Sequence, residues 1–578
     1  MVKKQVLVLF KTHLDVGFTD LAETVTERYL SVYLPNAIRV GNELKDTDAP
    51  FVWTVGSWLV WRALQRDADG SVERAIRDGI LRWHALPFTT HTELMNPALF
   101  EYGLSLSKKL DERFGLQTVG AKMSDVPGHT VGMIPLMQKH GVNFLHIGVN
   151  PATPLPPVPK VFRWKWKGDE IRVMYQGDYG EVEDFGDFAV YFAHTGDNLG
   201  PQSADSVIAE YAKVRALFPD GEIRAATVDD LAREVAKMKD LPVVEREIGD
   251  TWIHGAGTDP EKVSRYRKVL RKLASLGDSP CDLTDSLLLV PEHTWGEDLK
   301  TFFRDDRHYS ARELEKMPTE RANIERSWKE QRAYVERAEK LLGVTPDYPV
   351  KRPILTDWTE TEPTTLPYEV CWQLFDNADY ERYKKDYMRA LPEWAIWDFT
   401  KVGLPDYKGF SATAKVVAAY ERNGEKLFRL LFDEETATAY GLPELFLYQS
   451  ENTVTLTWFN KQATRYPQAC WFKFKGFAES WEINKTGQWL RPETVLGSPL
   501  ICAVDEGVRN ADVLIRPLDS TLVAPFGRRL LQYGVKDAKE DLWFCLYDNI
   551  WNTNFPMWYS DDGLFRFTVS PRTAPTAK

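Results

Sequence analysis

Over residues 1–240, short apolar runs alternate with longer amphipathic segments, and this alternation constrains the fold more than any other feature of the chain. The runs fall at residues 5–10, 51–55, 81–88, 118–123, 143–149 and 171–176, with a weaker one at 222–226. Between them lie stretches such as 20–44 and 57–78, whose apolar residues recur at helical spacing. Strand-length runs joined by helix-length segments imply a mostly parallel sheet covered by helices. About seven such units predict an α/β barrel-like domain over residues 1–245, with an open doubly wound sheet as the alternative. In either fold, chemistry collects where strands end and loops begin.

A chain of 578 residues is too long for one compact core, so further domains are expected. Residues 246–345 carry helical periodicity and few strand signals, which predicts a small helical bundle. Past a proline-containing break at 346–353, short β-like runs separated by Pro, Gly and Asn423-Gly424 predict a β-sandwich-type domain over 346–578.

The net charge of −12, without a sustained Lys/Arg run, argues against nucleic acid as a partner. No stretch approaches the ~20 apolar residues of a membrane span. The run at 5–10 leads within two residues into His13-Leu14-Asp15, with no small-residue cleavage site after it, so it is read as a buried strand rather than a signal peptide. Five scattered cysteines without a CxxC pair form neither a disulfide framework nor a thiolate zinc site. Reduced thiols and a cytoplasmic protein are the expectation. Twenty Trp residues suit stacking on sugar rings and equally suit aromatic cores.

Three clusters carry chemistry. In His13-Leu14-Asp15, positions i and i+2 of an extended backbone project to one side, so a His and an Asp can hold one metal from a strand end. That donor pair suits zinc; a polar strand end without metal is the plainer reading of the motif alone. Asp125-Val126-Pro127-Gly128-His129 follows the run at 118–123 and puts a carboxylate on a turn beyond a strand. Pro291-Glu292-His293-Thr294-Trp295-Gly296 follows an apolar helical stretch, where a histidine serves as a ligand or as a cap.

Taken in order, these clusters resemble the glycoside hydrolase family 38 α-mannosidases. His13-Leu-Asp15-Val-Gly17-Phe18 is similar to the family's H-x-D-x-G-[WF], and Asp125-Val-Pro-Gly128-His129-Thr130 to its D-x-x-G-H-[ST]. The segment Gly196-Asp197-Asn198-Leu199-Gly200-Pro201 resembles a glycine-rich acid/base loop of bacterial members. Similar segments follow at 249–267, 516–520 and 549–555. The resemblance implies a Zn²⁺ held by His13, Asp15, Asp125 and His293, with Asp125 also the nucleophile and Asp197 the general acid/base. Asp178, Glu181, Glu183 and Asp184 compete for the last role. Phe18 is a candidate platform under the sugar. Trp252 and Trp295 are further candidates, with core packing as the alternative, and Asn552 and Asn554 are candidate substrate contacts.

The expected function is therefore a retaining, zinc-dependent hydrolase of an α-linked sugar, with two carboxyl groups about 5–5.5 Å apart. The alternatives are a zinc-dependent carbohydrate deacetylase and a carbohydrate-binding protein without catalysis. The expected partner is a carbohydrate substrate, and a homo-oligomer is compatible with a fold of this kind. The chain departs from the family pattern in four ways: it is short, Thr294 stands where relatives carry Asp, the acid/base loop is less glycine-rich, and Phe18 stands where Trp is common.

Overall fold

The computed structural model describes residues 3–276, 281–477, 480–497, 501–534 and 541–572. The chain forms two compact units. One comprises residues 1–92 and 97–248, the other residues 93–96 and 249–578.

In the first unit the strands are β1 (Gln5–His13), β2 (Trp53–Gly56), β3 (Leu81–His84), β4 (Gly120–Asp125), β5 (Phe144–Val149), β6 (Val161–Trp166), β7 (Asp169–Gln176), β8 (Glu183–Asp184), β9 (Phe188–Asp197), β10 (Glu222–Ala225) and β11 (Val243–Val244). They form two sheets rather than a closed barrel. One runs β3-β2-β1-β9-β8 with β10 also on β1; the other runs β11-β6-β7-β5-β4. The predicted strand–helix alternation is present, and β1 pairs in parallel with β2, β9 and β10. Among the described residues the seven-stranded barrel is not found, because β6 returns antiparallel on β7 and β8 returns antiparallel on β9, which interrupts parallel winding.

Alternation along β1 and β9 builds the core. Leu7 and Leu9 meet Phe188, Val190 and Phe192, together with Phe144, Met174 and the buried face of helix Val228–Lys237 (Leu231, Val235). That helix begins with a capping box, in which the Thr227 side chain accepts from the Asp230 N–H and Asp230 accepts from the Thr227 N–H. Two of the N–H groups left without an intrahelical acceptor at this end are satisfied in this way.

In the second unit the helical segment and the β-rich region belong together. Helices Pro260–Ala274 and Pro318–Leu342 are joined by the ion pair of Arg265 with Glu339 at 2.6 Å. From the same first helix, Arg267 donates to the carbonyls of Val504, Asp505 and Pro517, each at 2.8 Å. These bonds fasten the helix to loops of the β region, where antiparallel strands form one ten-stranded and one six-stranded sheet. Cys371, Cys470, Cys502 and Cys545 are buried free thiols, and the Cys281 side chain lies outside the described residues. Among the described residues, no helix is long and apolar enough to cross a membrane.

Candidate metal centre

Three strands of the first unit end on the predicted residues. β1 ends at His13, β4 at Asp125 and β9 at Asp197. Asp197 is thus the last residue of a strand rather than part of a free loop. The register pairs His13 with Asp197 after an irregularity at Thr12/His13, so the two side chains leave neighbouring strands side by side.

His13, Asp15 and Asp197 each offer a ligand atom, and these atoms lie within 4.8 Å of one another. His13 Nε2 is 3.1 Å from Asp15 Oδ1, while its Nδ1 is 2.9 Å from the Ser124 hydroxyl. One ring nitrogen is thereby fixed from behind and the other faces carboxylates, which is how metal-binding histidines are commonly oriented. His13 and Asp15 are almost wholly buried. Several carboxylates crowded beside an imidazole in such a place fit a cation, and the N/O donor set fits zinc better than calcium or magnesium.

Tyr179, in the loop after β7, links the carboxylates. Its hydroxyl donates to Asp125 Oδ1 at 2.7 Å and lies 3.3 Å from Asp197 Oδ1. The two Oδ1 atoms can therefore be no farther apart than the sum of those lengths. Burial, then the charges of Asp125, Asp197 and Asp15, push the Tyr179 hydroxyl well above its usual range, so it stays protonated. Its ring lies 4.7 Å from that of His13. Asp125 also accepts from Asn150 Nδ2 at 3.0 Å, and its φ of 82° is left-handed. A non-glycine residue there is uncommon and strained, and such strain gathers at functional sites.

Asn198 ties the end of β9 to the loop after β1. Its Oδ1 accepts from Asp15 N–H at 3.0 Å. Its Nδ2 reaches the carbonyls of Asp15 and Gly17 and the Thr19 hydroxyl at 3.0–3.1 Å. The motif containing Asn198 was visible in the sequence, but this clamp was not. Tyr179 carried no signal beyond a tyrosine among acidic residues.

Beneath this acidic layer lies a basic one. The β1 face that carries Leu7 and Leu9 continues to Lys11 and then His13. Lys122 of β4 donates to the Tyr179 carbonyl and lies 2.9 Å from His146 Nδ1. Burial pushes the Lys11 ammonium down to about 8, and it pushes Lys122 and His194 well below their ordinary ranges, with neighbouring positive charges adding to the effect.

Three of the four competing carboxylates have partners of their own. Glu183 pairs with Lys160 at 2.6 Å, Asp184 pairs with Lys4 at 2.7 Å, and Asp178 accepts from the Tyr179 N–H at 2.6 Å. Phe18 is half-buried with a left-handed φ of 61°.

The remaining predicted residues belong to the second unit. His293 is buried, with its Nδ1 2.7 Å from Glu292 Oε1, and Glu292 also accepts from the Thr294 N–H. Trp252 packs edge-on against Phe399 and Trp551. Trp295 is fully buried against Phe555, with Lys262 Nζ 3.6 Å from its ring centre. Asn552 Oδ1 accepts from Lys401, and Asn554 Oδ1 from the Trp295 N–H. These two tryptophans and two asparagines therefore take part in the packing of their own unit.

The fold is similar to that of an α-mannosidase from Enterococcus faecalis V583, with a TM-score of 0.61 at 11% identity over 99% of this chain and 87% of that one. It is also similar to a glycosyl hydrolase family 38 protein from Enterococcus faecalis, with a TM-score of 0.54 at 11% identity over 100% of this chain and 86% of that one. The chain therefore shares the fold of these two proteins, in a sequence 11% identical to each. Residues 256–372 match a domain family described as a domain of unknown function, DUF5054. No curated protein sequence matches the chain.

Proposed function

We propose that this protein is a zinc-dependent retaining glycoside hydrolase of an α-linked sugar, with α-mannosides as the first substrates to try. The observation that carries the reading is the Tyr179 hydroxyl between Asp125 and Asp197. A phenol has one hydrogen. Given to Asp125, it leaves the phenol oxygen able to accept a proton from Asp197. A protonated Asp197 and an ionised Asp125 are the resting states that a general acid and a nucleophile require. The separation permitted by the shared hydroxyl is compatible with the ~5–5.5 Å of retaining enzymes and falls below the ~6.5–9.5 Å of inverting ones.

In this reading Asp125 attacks the anomeric carbon while Asp197 gives its proton to the leaving oxygen. Asp197 then takes a proton from the water that releases the sugar from Asp125. His13, Asp15 and Asp125 are proposed as metal ligands, and the family motif adds His293. When bound, zinc would act as a Lewis acid toward sugar hydroxyls. Phe18 would offer an apolar ring to the sugar. The test is a screen of aryl glycosides with and without a chelator. Metal-dependent release of a reducing sugar supports the reading, and no release from any glycoside refutes it.

One observation favours a second reading. Asp197 stands at ligand distance with His13 and Asp15, a His/Asp/Asp set that also suits a metal-dependent carbohydrate deacetylase. Acetate released from an acetylated sugar, without glycoside cleavage, would select it.

A further inference from the structure

Below the carboxylates, the first unit encloses a cavity with about 20 Å³ open to the centre of a water molecule. That is room for one small occupant. Lys11, His84 and Lys122 line it, and all three are more than nine-tenths buried. Among the described residues lining it there is no Asp or Glu.

The polar groups here have donors to spare. An ammonium carries three hydrogens. Lys11 uses one on the Thr12 carbonyl at 3.2 Å, and Lys122 uses its bonds to the Tyr179 carbonyl and His146. His84 Nδ1 has no hydrogen-bond partner among the described residues. The Thr89 hydroxyl, also on the lining, accepts from the Ser124 N–H and keeps its own hydrogen. Two lysines share this enclosed space without an ion-pair partner among the described residues. Burial of unpaired charge is costly, and donors lining one small enclosed space call for an acceptor.

We propose that this cavity is a binding site for a single monatomic anion of the halide class, held between Lys11 and Lys122 with His84 and Thr89 as further donors. A polyatomic oxyanion is too large for the space. A halide is only slightly larger than water, accepts from every side and supplies the missing negative charge. Because Lys122 also holds the Tyr179 carbonyl, the occupant would brace the loop that carries the Tyr179 hydroxyl.

The test uses the full chain and needs no turnover, so it stands apart from the glycosidase reading. Crystals grown with sodium bromide are expected to show an anomalous peak between the two ammonium groups. In solution, chloride or bromide should raise the melting temperature saturably over sodium gluconate at equal ionic strength, by about 2 °C or more. Lys122→Met or Lys11→Met should abolish both signals. If one variant fails to fold, the other and the wild-type bromide map still decide. A map with no peak in the cavity, where water and uncharged lysines suffice, overturns the proposal. So does a peak of unchanged height in the Lys122→Met protein.

Discussion

The hydroxyl of Tyr179 donates to Asp125 Oδ1 at 2.7 Å while its ring lies against His13. The bond fixes the carboxylate from a different sheet-end loop than the one that carries it. Tyr179→Phe keeps the ring and removes the bond. The fold should survive, with a melting temperature within about 2 °C of wild type. Turnover should fall about 10–100-fold, since a charge-assisted hydrogen bond contributes about 1.5–3 kcal/mol. Steady-state kinetics and thermal melts read both effects; a wild-type rate would remove Tyr179 from the chemistry.

Asp197→Asn separates the two readings of the site. As general acid/base, its loss should slow hydrolysis about 10²–10⁴-fold for poor leaving groups and least for activated aryl glycosides, with zinc content kept. As a ligand, its loss should lower zinc content in parallel with activity. Metal analysis beside rates on both substrate types tells them apart.

Much of the first unit could be read in the sequence because its strands are short apolar runs ending in polar motifs. The runs at 143–149 and 171–176 correspond closely to Phe144–Val149 and Asp169–Gln176. Strand pairing was not legible. β6 and β8 return antiparallel through short hairpins, in which Trp166 pairs with Asp169 and Asp184 with Ala189, and neither segment is among the strand-like runs; the order β3-β2-β1-β9 joins strands distant in the chain, which no local period encodes. Phe188–Asp197 escaped because its aromatic and β-branched run leads straight into the motif at 196–201, which draws attention as a loop. The predicted bundle and sandwich share one compact unit for a similar reason: Arg267 looks like a surface arginine in a helix, and only the folded chain brings it to three β-region carbonyls. Among site residues, those with a distinctive spacing were visible, whereas Tyr179 and Ser124 act through contacts between loops and strands.

Ser124 holds the far side of the His13 ring at 2.9 Å. Ser124→Ala leaves every proposed ligand in place and lets the imidazole turn. Zinc affinity should drop about 10–100-fold, the usual cost of losing such a partner. Competition with a chromophoric chelator measures it, and an unchanged affinity would argue that His13 is not a ligand.

Asn198 fills three gaps at once around Asp15. Asn198→Ala strands the Asp15 N–H and two carbonyls, at about 1–3 kcal/mol for the worst-placed buried group. It also puts alanine at a φ of 51°, which adds about 1–2 kcal/mol. A lower melting temperature together with weaker metal binding is expected. Asn198→Gly, which relieves only the backbone cost, should recover part of the stability and little of the metal affinity.

Lys461 gives stability a pH dependence whose sign follows from its burial. Its ammonium lies 5.7 Å from the ring centres of Trp372 and Tyr547 and donates to the Gln462 carbonyl at 2.6 Å. Burial pushes it from an ordinary 10.5 down to about 7. Between those values the unfolded chain binds a proton that the folded one does not, so stability rises with pH across that window. The rise is at most about 1.4 kcal/mol per pH unit from this one group. Below about pH 7 both states carry the proton and the slope from this residue vanishes. Lys461→Met keeps the bulk without the charge, so its urea midpoint should exceed that of wild type near pH 7, with the gap closing toward pH 10 as the unfolded chain loses the same proton. A gap that stays constant from pH 7 to 10 would mean that Lys461 is protonated in the folded protein throughout, and that the aromatic rings and the Gln462 carbonyl offset its burial.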